Sequence, residues 1–176
     1  MQARLVAAAL AASAVAGGCA HSYTAVSYDV TRKTTGTMSA MTTNPARKSG
    51  AVAFGFGARG AAMEIHVQAD DLETAVNPWF AGSVGFELKL TPVRKGPFAA
   101  FMHGGPMRSA LVDSKSGEIT WGAGLGYGLG LMLGTAGVNA FVDVRFEQLF
   151  YAGEPMTPTD GSTSQRTVAV GLQFGG

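Results

Sequence analysis

Between Ile119 and Val142 the chain carries no charged side chain, and inside that stretch Gly122, Gly124, Gly126, Gly128 and Gly130 occupy every second position. By length alone the segment is long enough to cross a membrane as a helix. In a helix, each of these glycines would cost about 1 kcal/mol relative to alanine, and they would spread around every face instead of forming one packing stripe. Alternation of large and absent side chains fits a strand better. One face carries Trp121, Ala123, Leu125, Tyr127, Leu129, Leu131 and Leu133, and the other is bare. Any fold for this chain must therefore house a wall that is wholly apolar on one side and nearly without side chains on the other.

The same period of two recurs along the rest of the chain, at about 22–33, 50–57, 61–70, 78–91, 97–103, 118–133, 138–150 and 165–174. Segment 61–70 opposes Met63, Ile65 and Val67 to Glu64, His66 and Gln68, and segment 138–150 opposes Val142, Val144 and Phe146 to Asp143, Arg145 and Glu147. In the first segment, Tyr28 and Val30 oppose Asp29 and Thr31. The connections alternate long and short: 34–49, 58–60, 71–77, 92–96, 104–117, 134–137 and 151–164. Tight turns on one side and longer loops on the other are the pattern of transmembrane β-barrels. Both chain ends fall on the short-turn side. The prolines fall in connections or at strand ends, as a ladder that cannot spare donors requires.

Charge decides which face points outward. Charged residues are 14% of the chain, whereas a water-facing exterior is expected to carry roughly 25–35%. The polar face holds Asp29, Glu64, His66, Glu87, Lys89, His103, Asp143, Arg145 and Glu147, diluted by Gly, Ala and Ser. Turned inward, Glu64, His66, Glu87, Lys89, Asp143, Arg145 and Glu147 make an ion-paired interior network. Lipid offers no partner to an open strand edge, so the strands must close. The expected fold is all-β: an eight-stranded antiparallel up-and-down transmembrane β-barrel, whose lumen is just wide enough to be filled by side chains. The aromatics Trp79, Trp121, Phe150, Tyr151 and Phe174 lie near strand ends, where girdles sit.

Residues 1–18 contain one cation, Arg4, and an apolar run from Leu5 to Ala16 too short to span a bilayer as a helix. They read as a secretory signal peptide, leaving 19–176 as the barrel domain. Val15-Ala16-Gly17-Gly18-Cys19 resembles the lipobox of bacterial lipoproteins, which implies acylation of Cys19; Ala14-Val15-Ala16 could instead serve an ordinary signal peptidase. A lone cysteine cannot form an internal disulfide. Two acyl chains there would anchor the protein stably. The net charge of +1 falls to zero without Arg4, so no basic excess is left to engage nucleic acid.

With these features in place, the stretch 22–176 resembles the small eight-stranded outer-membrane barrels of the opacity-protein type. The resemblance rests on strand count, loop alternation, Gly124-Leu125-Gly126-Tyr127-Gly128, and the aromatic-ended last strand Val168-Ala169-Val170-Gly171-Leu172-Gln173-Phe174. It implies a non-enzymatic surface protein of the bacterial outer membrane, in contact with its lipid, with a structural or interactive role. A surface partner would meet it through the loops at 34–49, 104–117 and 151–164. Two other readings remain open at this point. One is a lipid-modifying barrel enzyme, with His66 as base for Ser83 and Glu64 orienting the imidazole. The other is a soluble lipocalin-like lipoprotein with an apolar ligand cavity, although no Gly-x-Trp stands near the first strand. Gly55-Phe56-Gly57-Ala58-Arg59-Gly60 has dinucleotide-loop spacing, but a strand follows it instead of a helix, so it reads as a hairpin turn. His21, His66 and His103 lack ligand spacing, so neither a metal nor a cofactor is expected.

Overall fold

The computed structural model describes residues 21–36, 48–58, 60–73, 78–113, 117–135, 137–152 and 161–175. The leader 1–18 and Cys19 lie outside the described residues. Eight strands follow one another: β1 (Ser22–Gly36), β2 (Lys48–Ala58), β3 (Ala61–Glu73), β4 (Pro78–Lys95), β5 (Phe98–Asp113), β6 (Ile119–Thr135), β7 (Val138–Ala152) and β8 (Gly161–Gly175). Each pairs antiparallel with its sequence neighbours, and β1 closes on β8, from Tyr23 opposite Gly175 to Gly36 opposite Thr163. The result is a closed up-and-down barrel without a free edge.

Polarity is inverted relative to a water-soluble barrel. Leu125 and Leu129 are each 61% exposed and Leu131 is 67% exposed, whereas Asp143 and Arg145 retain 7% and 6%. The exposed set continues around the wall through Phe86, Leu88, Met102, Val142, Val170 and Leu172. A lipocalin-like protein would hold these side chains inside around a ligand; here they form the exterior. The bare face of β6 leaves room for inward rings from its neighbours. A Cβ on Gly128 would strike the imidazole of His103, and one on Gly130 would strike the ring of Phe101. Phe101 in turn packs edge-on against Phe141, with ring centroids 6.2 Å apart.

Several boundaries differ from expectation, each for a local reason. Most of 104–117 is strand, not loop, because β5 runs to Asp113. Gly104-Gly105-Pro106 reads as a turn in sequence, yet all three residues pair with β6, opposite Tyr127, Gly126 and Leu125. The register with β4 passes from Leu88–Gly104 to Gly85–Met107, so the donor that Pro106 lacks falls where the ladder is interrupted. Pro92 likewise sits inside β4, in the register shift between Leu90 and Val93. At the other loops, β1 extends through 34–36, β7 reaches Ala152 and β8 starts at Gly161. The Gly55–Gly60 motif joins β2 to β3 as a hairpin. Trp121 and Phe150 face outward, but Tyr151 is buried, with its hydroxyl 3.2 Å from Ser109 Oγ, and so belongs to the interior instead of a girdle.

One further difference matters most. β1 carries a bulge between Asp29 and Thr31. Simple alternation puts Arg32 on the face opposite Asp29; the bulge turns Arg32 inward beside it and sends Lys33 outward.

Because Leu129 stands on the apolar wall, Leu129→Arg should lower the unfolding free energy in phospholipid vesicles by about 2–4 kcal/mol. A change within about 0.5 kcal/mol, usual for a water-exposed position, would put this wall in solvent.

Candidate functional site

The inward faces of β3 to β7 converge on a charged cluster in the barrel. Glu87 projects from β4 and Arg145 from β7, with Nη2 of the guanidinium 3.0 Å from Glu87 Oε2. His103 of β5 lies between two carboxylates, Nδ1 at 2.6 Å from Glu87 Oε2 and Nε2 at 3.0 Å from Asp143 Oδ2. His103 thus bridges the carboxylates of Glu87 and Asp143. Arg145 also lies against His66 of β3, Nη1 at 2.7 Å from Nδ1, and approaches Glu147 at 3.9 Å. Toward the short-turn end, Lys89 donates to Gln173 Oε1 at 3.0 Å and lies 3.5 Å from Glu64 Oε2. Its ammonium also rests over the ring of Phe101, 4.6 Å from the centroid, and Tyr23 donates its hydroxyl to Glu64 at 2.6 Å. Glu64, His66, Glu87, Lys89, Asp143, Arg145 and Glu147 are all buried.

Toward the long-loop end lies a second cluster that alternation alone did not reveal. Arg32 reaches Asp29 at 3.0 Å and Asp70 at 2.8 Å, and Ser49 hydrogen-bonds to both carboxylates. Arg32 was hidden by the bulge, and Ser49 lay in a stretch read as loop. A cation three residues after Asp29 in an otherwise alternating strand was the only signal available.

Glu64, His66 and Ser83 share the inward face of β3 and β4, but among the described residues no hydrogen bond links them as the hydrolytic reading requires. Ser83 stands opposite Gln68 in the β3–β4 ladder, whereas Gly85 stands opposite His66. His66 is engaged by Arg145, and Glu64 by Tyr23 and Lys89. A guanidinium against the imidazole competes for the lone pair that a general base needs.

Little space is left in the lumen. A cavity of about 30 Å³ borders Asp29, His66, Asp143 and Arg145, and another of about 50 Å³ lies under His21, Tyr23, Lys89 and Arg94. Each has room for a water molecule or so, not for a solute. Among the described residues, no group of three or more His, Cys, Asp or Glu is arranged to hold a metal ion. The site is thus a filled, ion-paired plug inside a barrel whose outer wall is apolar.

This combination defines a small barrel of the outer-membrane type, and comparison with solved structures agrees. Over 88% of its length the chain superposes on 95% of Neisserial surface protein A with a TM-score of 0.63 at 11% identity. It superposes on the N-terminal β-barrel domain of Pseudomonas aeruginosa OprF with a TM-score of 0.52 at 11% identity, covering 88% of this chain and 98% of that one. For Ail, the attachment invasion locus protein of Yersinia pestis, the TM-score is 0.51 at 12% identity, again over 88% and 98%. No family model and no curated protein sequence matches the chain.

Removing one member of the buried network strands the others. Arg145→Ala leaves Glu147 without its cation and Glu87 with His103 alone, and should cost about 3–5 kcal/mol, while the paired removal of charge, Arg145→Met with Glu87→Gln and Glu147→Gln, should recover most of that loss. Urea unfolding in detergent, followed by tryptophan fluorescence, reads both; equal losses in the single and paired variants would mean that a stranded buried charge is not the source of the cost.

Proposed function

We propose that this protein is a non-enzymatic β-barrel of the bacterial outer membrane, anchored in addition by lipid on Cys19, with a structural or surface-interaction role. The observation that carries this reading is the inverted polarity: an apolar exterior around a lumen plugged by ion pairs. A plugged lumen does not serve general diffusion, so function resides at the ends and on the wall. By the usual orientation of such barrels, the short turns at 59–60, 96–97 and 136–137 and the start of β1 face the periplasm. A lipid on Cys19 would then enter the inner leaflet a few residues from Ser22, compatible with that topology. The connections 37–47 and 153–160, rich in Thr, Ser and Met or in Thr and Pro, lie outside the described residues, and in this reading they are where a partner would bind.

Cell fractionation should recover the protein with outer membranes, and the folded protein should migrate differently from the boiled one on a gel. Cys19→Ser should abolish incorporation of labelled fatty acid while leaving that migration difference unchanged. Recovery of a folded, detergent-independent domain after removal of residues 1–19 would overturn the membrane reading, and unlabelled wild type would overturn the anchor alone. On the same reading, His66→Ala leaves the phospholipid and lipid A species of the cell unaltered; a changed lipid profile would revive the enzyme alternative.

A further inference from the structure

Inside the barrel, the arginines and the lysine of the two clusters have carboxylates beside them. On the outer wall the pattern differs. Lys33 of β1 and Arg166 of β8 are directly opposite each other in the ladder and both are exposed. Residues so placed have their Cβ atoms about 5 Å apart, and like charges in such pairs repel. No described carboxylate offsets them: β8 has no acidic residue, and Asp29, Asp143 and Glu147 of β1 and β7 point inward. The bulge in β1 creates this arrangement, since unbroken alternation would have kept Lys33 on the Asp29 side.

The surroundings are ordered along the barrel wall. Below the pair, toward the short-turn end, β8 presents Val168, Val170 and Leu172, and β7 presents Val142 and Val144. At the level of the pair, Arg166 lies over the Phe146 ring, 5.6 Å from its centroid, and Phe146 stacks on Tyr127 at 5.4 Å. Above it come the exposed Thr35, Ser164 and Gln148. Apolar wall, paired cations on an aromatic shelf, then hydroxyl and amide groups: this matches the order of acyl chain, phosphate and polar headgroup in a lipid.

We propose that Lys33 and Arg166 form a binding site for the phosphate of an anionic glycolipid in the outer leaflet, whose acyl chain lies along Val168, Val170 and Val144. The proposal rests on the outer-membrane placement above, which puts this end of the barrel in the outer leaflet. A phosphate between the two cations replaces their repulsion with two charge-assisted contacts. Exposed contacts of this kind are weak singly, so the acyl chain on the adjoining wall must supply much of the affinity. That requirement favours a lipid over a free anion. Arg108 of β5, exposed opposite Val84 and Ala123 with no cation beside it, provides an internal control.

Detergent-purified full-length protein can be titrated with bisphosphorylated lipid A, with the same glycolipid stripped of phosphate, and with inorganic phosphate, and the bound species measured by native mass spectrometry. Wild type should prefer the phosphorylated glycolipid by about tenfold, and Lys33→Gln with Arg166→Gln should abolish that preference. Arg108→Gln should keep it. Equal binding of the two glycolipids by wild type, retention of the preference in the double variant, or an equal loss in Arg108→Gln would each overturn the site. Displacement of the glycolipid by equimolar inorganic phosphate would also overturn it, in favour of a soluble anion. Heat-modifiable migration reports folding of each variant; if the double variant does not fold, the single variants are read by the same criterion. Because binding is measured in detergent, a preserved phosphate preference together with failed outer-membrane fractionation would support the site and refute only the cellular placement.

Discussion

The hydrogen-bonded closure of β1 on β8 is the constraint on which everything else in this molecule depends. In hydrocarbon an unpaired main-chain N–H or C=O has no solvent to turn to, so a sheet is admissible only when its last strand finds its first. Here the seam is long, running through Asp29 opposite Ala169 and, past a bulge, Arg32 opposite Thr167. Closure fixes an inside and an outside, and the period of two then sends alternate residues to each.

Once the exterior is committed to apolar side chains, the ionisable groups on the other face of each strand have only the lumen to occupy. Their burial is tolerable because they arrive together. Arg145 meets Glu87, His103 bridges Glu87 and Asp143, and Lys89 meets Glu64 under an aromatic lid. These pairs offset desolvation more than they add net stability. Their effect is to fill a narrow lumen and to make each inward position depend on its neighbours. The glycines of β6 serve the same end, leaving space into which His103 and Phe101 project.

Alternation made the wall legible: Leu125, Leu129 and Val142 on one side, Asp143 and Arg145 on the other, follow from period and composition without coordinates. Local exceptions were harder. Gly104-Gly105-Pro106 carries the composition of a turn, and only the ladder to β6 shows that it continues a strand. Tyr151 sits near a strand end like its neighbour Phe150, yet parity sends the one inward and the other out. The bulge after Asp29 turns Arg32 inward and Lys33 outward, the reverse of simple counting, and its only residue signal is a cation three positions after Asp29. Sharing a face also did not mean touching. Glu64, His66 and Ser83 all lie inside, but Glu64 is held by Tyr23 and Lys89 and His66 by Arg145, and among the described residues no hydrogen bond joins the three.

From the amino-acid order alone came the strand period, the number of strands, the short and long connections and the sign of the wall, because each is a local property of side chains repeating every second residue. The tertiary structure alone decided which charge meets which, where the lumen is blocked, and that Lys33 stands beside Arg166. Those facts depend on register between strands distant in sequence and on a single extra residue in β1, and a shift of one position exchanges the two faces.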